Sequence, residues 1–576
     1  MLVRSGMLFV LLALVGSACA RPAPPAAPET GRQPPAARKQ IVASIFSEPA
    51  GLHHEVTNPT PSSGSVPGVA ELYTVLNGGL SYIDSDNVRH PWFVETLPSV
   101  ENGAWQVFPD GRMEVTWRLR PGITWHDGVP LTADDLRFTV DVYKDKEIGA
   151  VSIAPLAIVD GMEVRDARTV VMKWQKPYVD ADALFSPASA SSASSRIPTI
   201  WLMPRHILEQ PFQENKAGFF GIPYWREGFV GAGPFKMLDW AAGSYVTLGA
   251  NDSYVLGRPK LDQVEVRFFV DRGALKAALL AGAVQTHMGR GVTVEDVLQI
   301  RERTHDVKVQ LGGTLAGVLP IYPQAIDPDP PIVGNPQFRR ALLMAIDRQE
   351  LTDTLNNGLG PIAHSWVQPD QPEGRAIEGR LVRYSYDPRA AAQMIEALGY
   401  TRAADGTFQA NDGTRLSIGL LTHEQNSFHV PGALAVQTQW QRLGLDVQLD
   451  VLPVARATDL RYRALFPSFI LLSKGVIAGP DGYFSRSAIP VSENNFAGGN
   501  AGRYGTAELD DLIERYARTI PFSDRMGILG DIVQHQTDQV TILPLFFQGA
   551  AFVLGAAHLN NVLSGQVWNA NAWELD

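Results

Sequence analysis

An α/β fold is what this sequence predicts, and three observations carry the prediction. The runs LSIGLLT (residues 416–422) and VQLDVLP (residues 447–453) read as strands flanking a helix around residues 436–443, the order of a parallel α/β unit. MEVTWRLR (residues 113–120) alternates Val115, Trp117 and Leu119 against Glu114, Thr116, Arg118 and Arg120, the period of a half-buried strand. At 576 residues the chain exceeds what one hydrophobic core serves, so two to four domains are expected.

The first twenty residues, MLVRSGMLFVLLALVGSACA, set Arg4 before the short apolar run 7–15 and the small residues Gly16, Ser17 and Ala18. That is a secretory-signal layout, too short for a stable membrane span. Cys19 follows at once and is the sole cysteine. This arrangement resembles a bacterial lipobox, although Gly16 stands where Leu is usual. Residues 1–18 are therefore expected to be a signal peptide, and residues 19–38, rich in Pro and Ala, a tether behind a lipidated Cys19. With one cysteine, no disulfide can form within the chain, and stability must come from core burial.

The body opens with the strand-like QIVASIF (residues 40–46), followed by a loop of turn formers over residues 51–68. ELYTVLNGGLSYID begins as a helix, breaks at Gly78-Gly79 and continues as a short strand. After the turn at Pro121-Gly122, Thr132 and Asp135 have capping-box spacing before LRFTVDVY, where Leu136, Val140 and Tyr143 form one buried face. Asp134 and Asp135 then lie at the favourable end of a helix dipole. Further strands are expected at FKMLDW, YVTLGAN and QVEVRFF, and helices over residues 338–351, 387–400, 510–518 and 526–536. The apolar run TILPLFF (residues 541–547) follows. No repeat of fixed period occurs.

A net charge of −11 disfavours a nucleic-acid partner. HExxH, GxSxG and P-loop patterns are absent, and a single cysteine rules out thiolate zinc sites within the chain. His53-His54 is the one adjacent histidine pair, but neighbours in extended chain point to opposite faces. His126-Asp127 sits in a turn that can bond its own backbone. No catalytic set, metal site or cofactor is expected from these residues.

Five segments in order resemble the bacterial extracellular solute-binding proteins of family 5, which serve ABC importers. They are WRLRPGITWHDGVPLTADDLRFT, GAGPFKMLDW with GRPKLDQVEVRF, ALKAALLAGAVQ (Gln285 replacing the usual acid), NPQFRRALLMAIDRQEL and RYGTAELDDLIERY. The resemblance implies a two-lobed periplasmic-binding-protein fold of type II, in its large three-domain form, with a hinge and an interlobe cleft. Residues 39–84, 229–316 and 539–576 would build lobe I, residues 85–228 an inserted domain, and residues 317–538 lobe II. A monomer is implied, capturing a peptide and passing it to a permease with its ATPase subunits, and touching the membrane through a lipid anchor only.

By position, Asn58, Thr60, Tyr73, Gly233 and Phe235 would face the cleft, with Trp366 and Tyr483 as aromatic walls. The family's amine-binding acid falls in FILLSKGVIAGPDGYFSR. Ala478 occupies the aligned place there, leaving Asp481 as substitute. Other solutes remain open on this sequence: a sugar oligomer, a nickel chelate or an opine. An exported hydrolase is the alternative from another class.

Overall fold

Two five-stranded sheets, one four-stranded sheet and three two-stranded ribbons make up the strands of the computed structural model, which describes residues 38–53, 68–84, 88–148, 154–186, 200–289, 292–424, 426–453, 456, 459–475, 479–563, 565 and 567–576. The signal, Cys19 and the tether up to residue 37 lie outside these residues, as do His54, Asn58, Thr60 and Ala478.

The first sheet runs Thr286–His287, Gln40–Phe46, Gln263–Phe269, Tyr245–Ala250, Phe235–Ala241. Gln40–Phe46 is parallel to both neighbours, and the two strands beyond Gln263–Phe269 return antiparallel. The small sheet, Trp105–Val107, Met113–Arg118, Thr169–Trp174 and Val159–Asp166, is antiparallel throughout. Its inward residues Val115, Trp117 and Leu119 are fully buried, as their alternation predicts. They join Trp92, Trp125 and Trp174 in a core continuous with that of the first sheet. The hairpin Val159–Asp166/Thr169–Trp174 escapes a reading by pattern, because only one of its strands carries a buried run.

The helix Ala133–Lys144 begins where its capping residues predict. The Asp135 carboxylate accepts from Thr132 N at 2.8 Å and from Arg205 N at 2.8 Å. It thus caps two helices, its own and Arg205–Glu214. Asp134 pairs with Arg137 at 2.7 Å.

The second sheet runs Asp446–Leu452, Ser417–His423, Phe469–Leu471, Val307–Pro323, Leu543–Ala556. Ser417–His423 is parallel to Asp446–Leu452, joined through the helix His429–Leu443, as expected for a βαβ unit. The expected helix 338–351 is two helices, Pro336–Met344 and Arg348–Leu355. Asp347 breaks it by accepting from Glu350 N at 3.0 Å, which starts a new helix.

Two long strands carry the chain between the lobes. Val307–Pro323 pairs antiparallel with Leu543–Ala556 from Val307 to Ile321, with register shifts between Leu311 and Leu315 and between Leu315 and Gly317. Before the shifts the ribbon lies against the first lobe, where Thr286 donates to Leu554 O at 3.1 Å. After them it enters the second sheet, where Ile321–Pro323 pairs with Phe469–Leu471. The piece 539–576 therefore does not belong to lobe I alone, since Leu543–Phe547 is built into the second sheet. Bulges bend strands locally, so this ribbon is the natural place for a hinge.

Candidate ligand-binding site

In the second lobe the parallel strands end together at His423, Leu452 and Leu471, and ligands of open α/β sheets bind outside such carboxyl ends. A buried relay closes this edge. Ser473 N donates to His429 Nε2 at 2.7 Å, and His429 Nδ1 lies 3.3 Å from His423 Nδ1. Because His429 Nε2 accepts, its proton resides on Nδ1, the nitrogen that faces His423. Burial, with His423 and Arg463 adding to it, lowers His429 to about 3; burial and Arg463 lower His423 to about 4. Both are neutral at ordinary pH.

Lys474 is the next residue. Its backbone is locked to the ribbon just past the last of those shifts: Val318 N donates to Lys474 O at 2.8 Å, and Lys474 N to Val318 O at 2.9 Å. Only glycine fits at 317, where a Cβ would stand 2.1 Å from Lys474 O. The Lys474 ammonium lies 5.1 Å from the Tyr483 ring centroid and 6.0 Å from that of Tyr322, and donates to Gly499 O at 3.3 Å. Burial, assisted by Arg463, lowers this ammonium to about 8. Tyr483 and Asp481 are half-buried on the short helix Asp481–Phe484. The sequence does carry a signal for Lys474, a lone cation at the end of the apolar strand FILL, but the relay joins residues 44 positions apart and is invisible without the fold.

Tyr73, Phe235, Gly233 and Trp366 occupy packed positions. Tyr73 is 1% exposed and stacks on Trp201 with centroids 3.5 Å apart. Its hydroxyl donates to Leu202 O at 3.4 Å, so it supports the first lobe from inside rather than walling a cleft. Phe235 is fully buried at a strand start. Gly233 presses on the end of the helix Val69–Leu76, where a Cβ would meet Leu76 C at 2.5 Å and Val75 O at 2.6 Å. Trp366 is buried and donates to Gln536 Oε1 at 2.5 Å.

His53 packs beneath Phe220, centroids 3.9 Å apart. His126 accepts from Gly231 N at 3.1 Å and, through Nε2, meets Gly233 O at 3.1 Å; Asp127 bonds His206 at 2.7 Å. This turn staples the inserted region to the first lobe. Among the described residues no group of three or more His, Cys, Asp or Glu side chains could hold a metal ion, and no helix is long and apolar enough to cross a membrane.

A family model described as "Bacterial extracellular solute-binding proteins, family 5 Middle" matches residues 98–490. A Brucella ovis protein named for ABC-transporter peptide binding is 26% identical over 382 residues, 66% of this chain and 65% of that one. The chain is also 26% identical over 349 residues to the oligopeptide-binding protein AppA of Bacillus subtilis, 59% of each chain. The matched parts thus span less than two thirds of these relatives. In fold, AppA solved with a nonapeptide superposes with a TM-score of 0.64 at 19% identity, covering 94% of this chain and 99% of that one. NikZ of Campylobacter jejuni, solved with Ni(L-His), gives 0.69 at 18% identity, covering 93% and 99%. With the family model matched along most of its folded body and both lobes and ribbon in place, the chain belongs to the bacterial extracellular solute-binding proteins, family 5.

Proposed function

We propose that this protein is the solute receptor of an ABC importer, which captures a peptide between its lobes and hands it to a membrane permease with ATPase subunits. The carrying observation is the ribbon of Val307–Pro323 and Leu543–Ala556, which joins both lobes through its register shifts. It lets the lobes close on a ligand without breaking either sheet, so that the closed form is what the permease meets. The names of the Brucella ovis and Bacillus subtilis relatives support a peptide as cargo. Binding, not bond cleavage, is the activity. Asp481 receives the peptide amine, and Tyr483 lines the recess. Export through the signal 1–18 and lipidation of Cys19 hold a monomeric body at the outer face of the cell membrane, on the tether 19–38.

The test is a melting-temperature titration with defined peptides, followed by mass spectrometry of the bound fraction. A receptor gains stability as RT ln(1 + [L]/Kd) and releases the peptide intact. Recovery of cleaved peptide would remove the binding-only reading. Asp481→Ala should weaken peptide binding, and unchanged affinity would remove the amine assignment. Cys19→Ser should move the exported protein from the membrane fraction to the soluble one.

A further inference from the structure

The second lobe offers its ligand edge a cation where the expected acid is missing. Lys474 is half-buried, lies over two tyrosine rings, and among the described residues donates to the Gly499 carbonyl at 3.3 Å. Among the described residues no carboxylate stands within ion-pairing distance of it, and the three residues that follow Gly475 in the sequence, Val-Ile-Ala, contain no acid. A second cation works in the same sense: the Arg463 guanidinium contributes positive potential at Lys474, His423 and His429 alike. A desolvated ammonium left without an anion is costly, and folds keep such a group where something else supplies the countercharge. The place is also the productive one. Lys474 sits at the carboxyl ends of the parallel strands, and its backbone bonds the ribbon at Val318. An anion drawn onto it would pull directly on the interlobe connection.

We propose that Lys474, backed by Arg463, is a carboxylate-binding subsite, so that the solute carries a carboxylate held by the second lobe. This rests on the receptor reading above and narrows its ligand class. The ammonium donates to the carboxylate while the Tyr483 and Tyr322 faces keep water from screening the pair. A peptide's C-terminus and an acidic side chain offer the same group, and the experiment separates them.

The protein is offered an equimolar mixture of random pentapeptides, each as free acid and as C-terminal amide, and the retained fraction is read by mass spectrometry. We expect carboxylate-bearing molecules to be enriched roughly tenfold to a hundredfold over amides lacking Asp and Glu. Enrichment of all free acids points to the C-terminus; enrichment of Asp- or Glu-containing amides points to a side chain. Lys474→Met should abolish the preference and Lys474→Arg should keep it. Removing a desolvated charge leaves Lys474→Met melting at or above the parent, which separates lost binding from lost folding. Equal retention of acids and acid-free amides by the parent would overturn the subsite and leave the peptide receptor standing. Retention of no peptide would remove both.

Discussion

Replacing His429 by glutamine should remove a defined part of the protein's acid sensitivity. His429 is 3% exposed, accepts from Ser473 N, and is held at about 3, whereas a histidine in the unfolded chain titrates near 6.5. The folded value is the depressed one, so between about 4 and 6.5 the unfolded state binds the proton and the native state does not. The His429 contribution is complete above 6.5 and is lost as pH falls below it. Integrating the linkage from about pH 7.5 to about pH 5 gives a loss of about 2 kcal/mol from this one side chain. The substituted glutamine can accept from Ser473 N through its Oε1 but does not titrate. Urea unfolding followed by tryptophan fluorescence, with Trp440 buried in the same lobe, measures the difference. The parent should lose about 2 kcal/mol more than His429→Gln over that interval. Equal losses would refute the relay as drawn, because a His429 that titrates normally has no reason to differ from glutamine.

Two packing arguments make equally direct predictions. Gly233→Ala places a methyl group against backbone at Leu76 and Val75. It should cost about 3 kcal/mol, the upper end of overpacking penalties, because backbone cannot swing aside; an unchanged unfolding midpoint would contradict the close approach. Asp135→Ala removes the acceptor shared by Thr132 N and Arg205 N and should cost about 2–3 kcal/mol in the same assay. Asp134→Ala loses only a surface pair with Arg137 and should cost under about 1 kcal/mol. Similar costs for the two acids would deny Asp135 its double capping role.

Legibility from sequence followed the range of the interactions involved. Thr132 and Asp135 are three residues apart, so the start of their helix could be read directly, and so could the alternation that buries Val115, Trp117 and Leu119. The break at Asp347 is not legible in the sequence, because an apolar periodicity running through it looks like one helix until Glu350 N finds its cap. Aromatic residues defeated the reading differently. Tyr73, Phe235 and Trp366 have the chemistry of pocket walls, but burial in a core satisfies them equally well, and only the packing around Trp201 or Gln536 shows which applies.

By itself, then, the sequence determined the fold class, the family resemblance and the local grammar of caps, turns and strand faces, because those depend on residues a few positions apart. The tertiary structure alone decided the surroundings of the candidate site. Lys474 acquires its character from Tyr322, Tyr483, Gly499 and Arg463, and His429 from Ser473. Electrostatic strength depends on how much water surrounds a charge and which groups converge on it. Those quantities do not exist until strands distant in the chain end side by side.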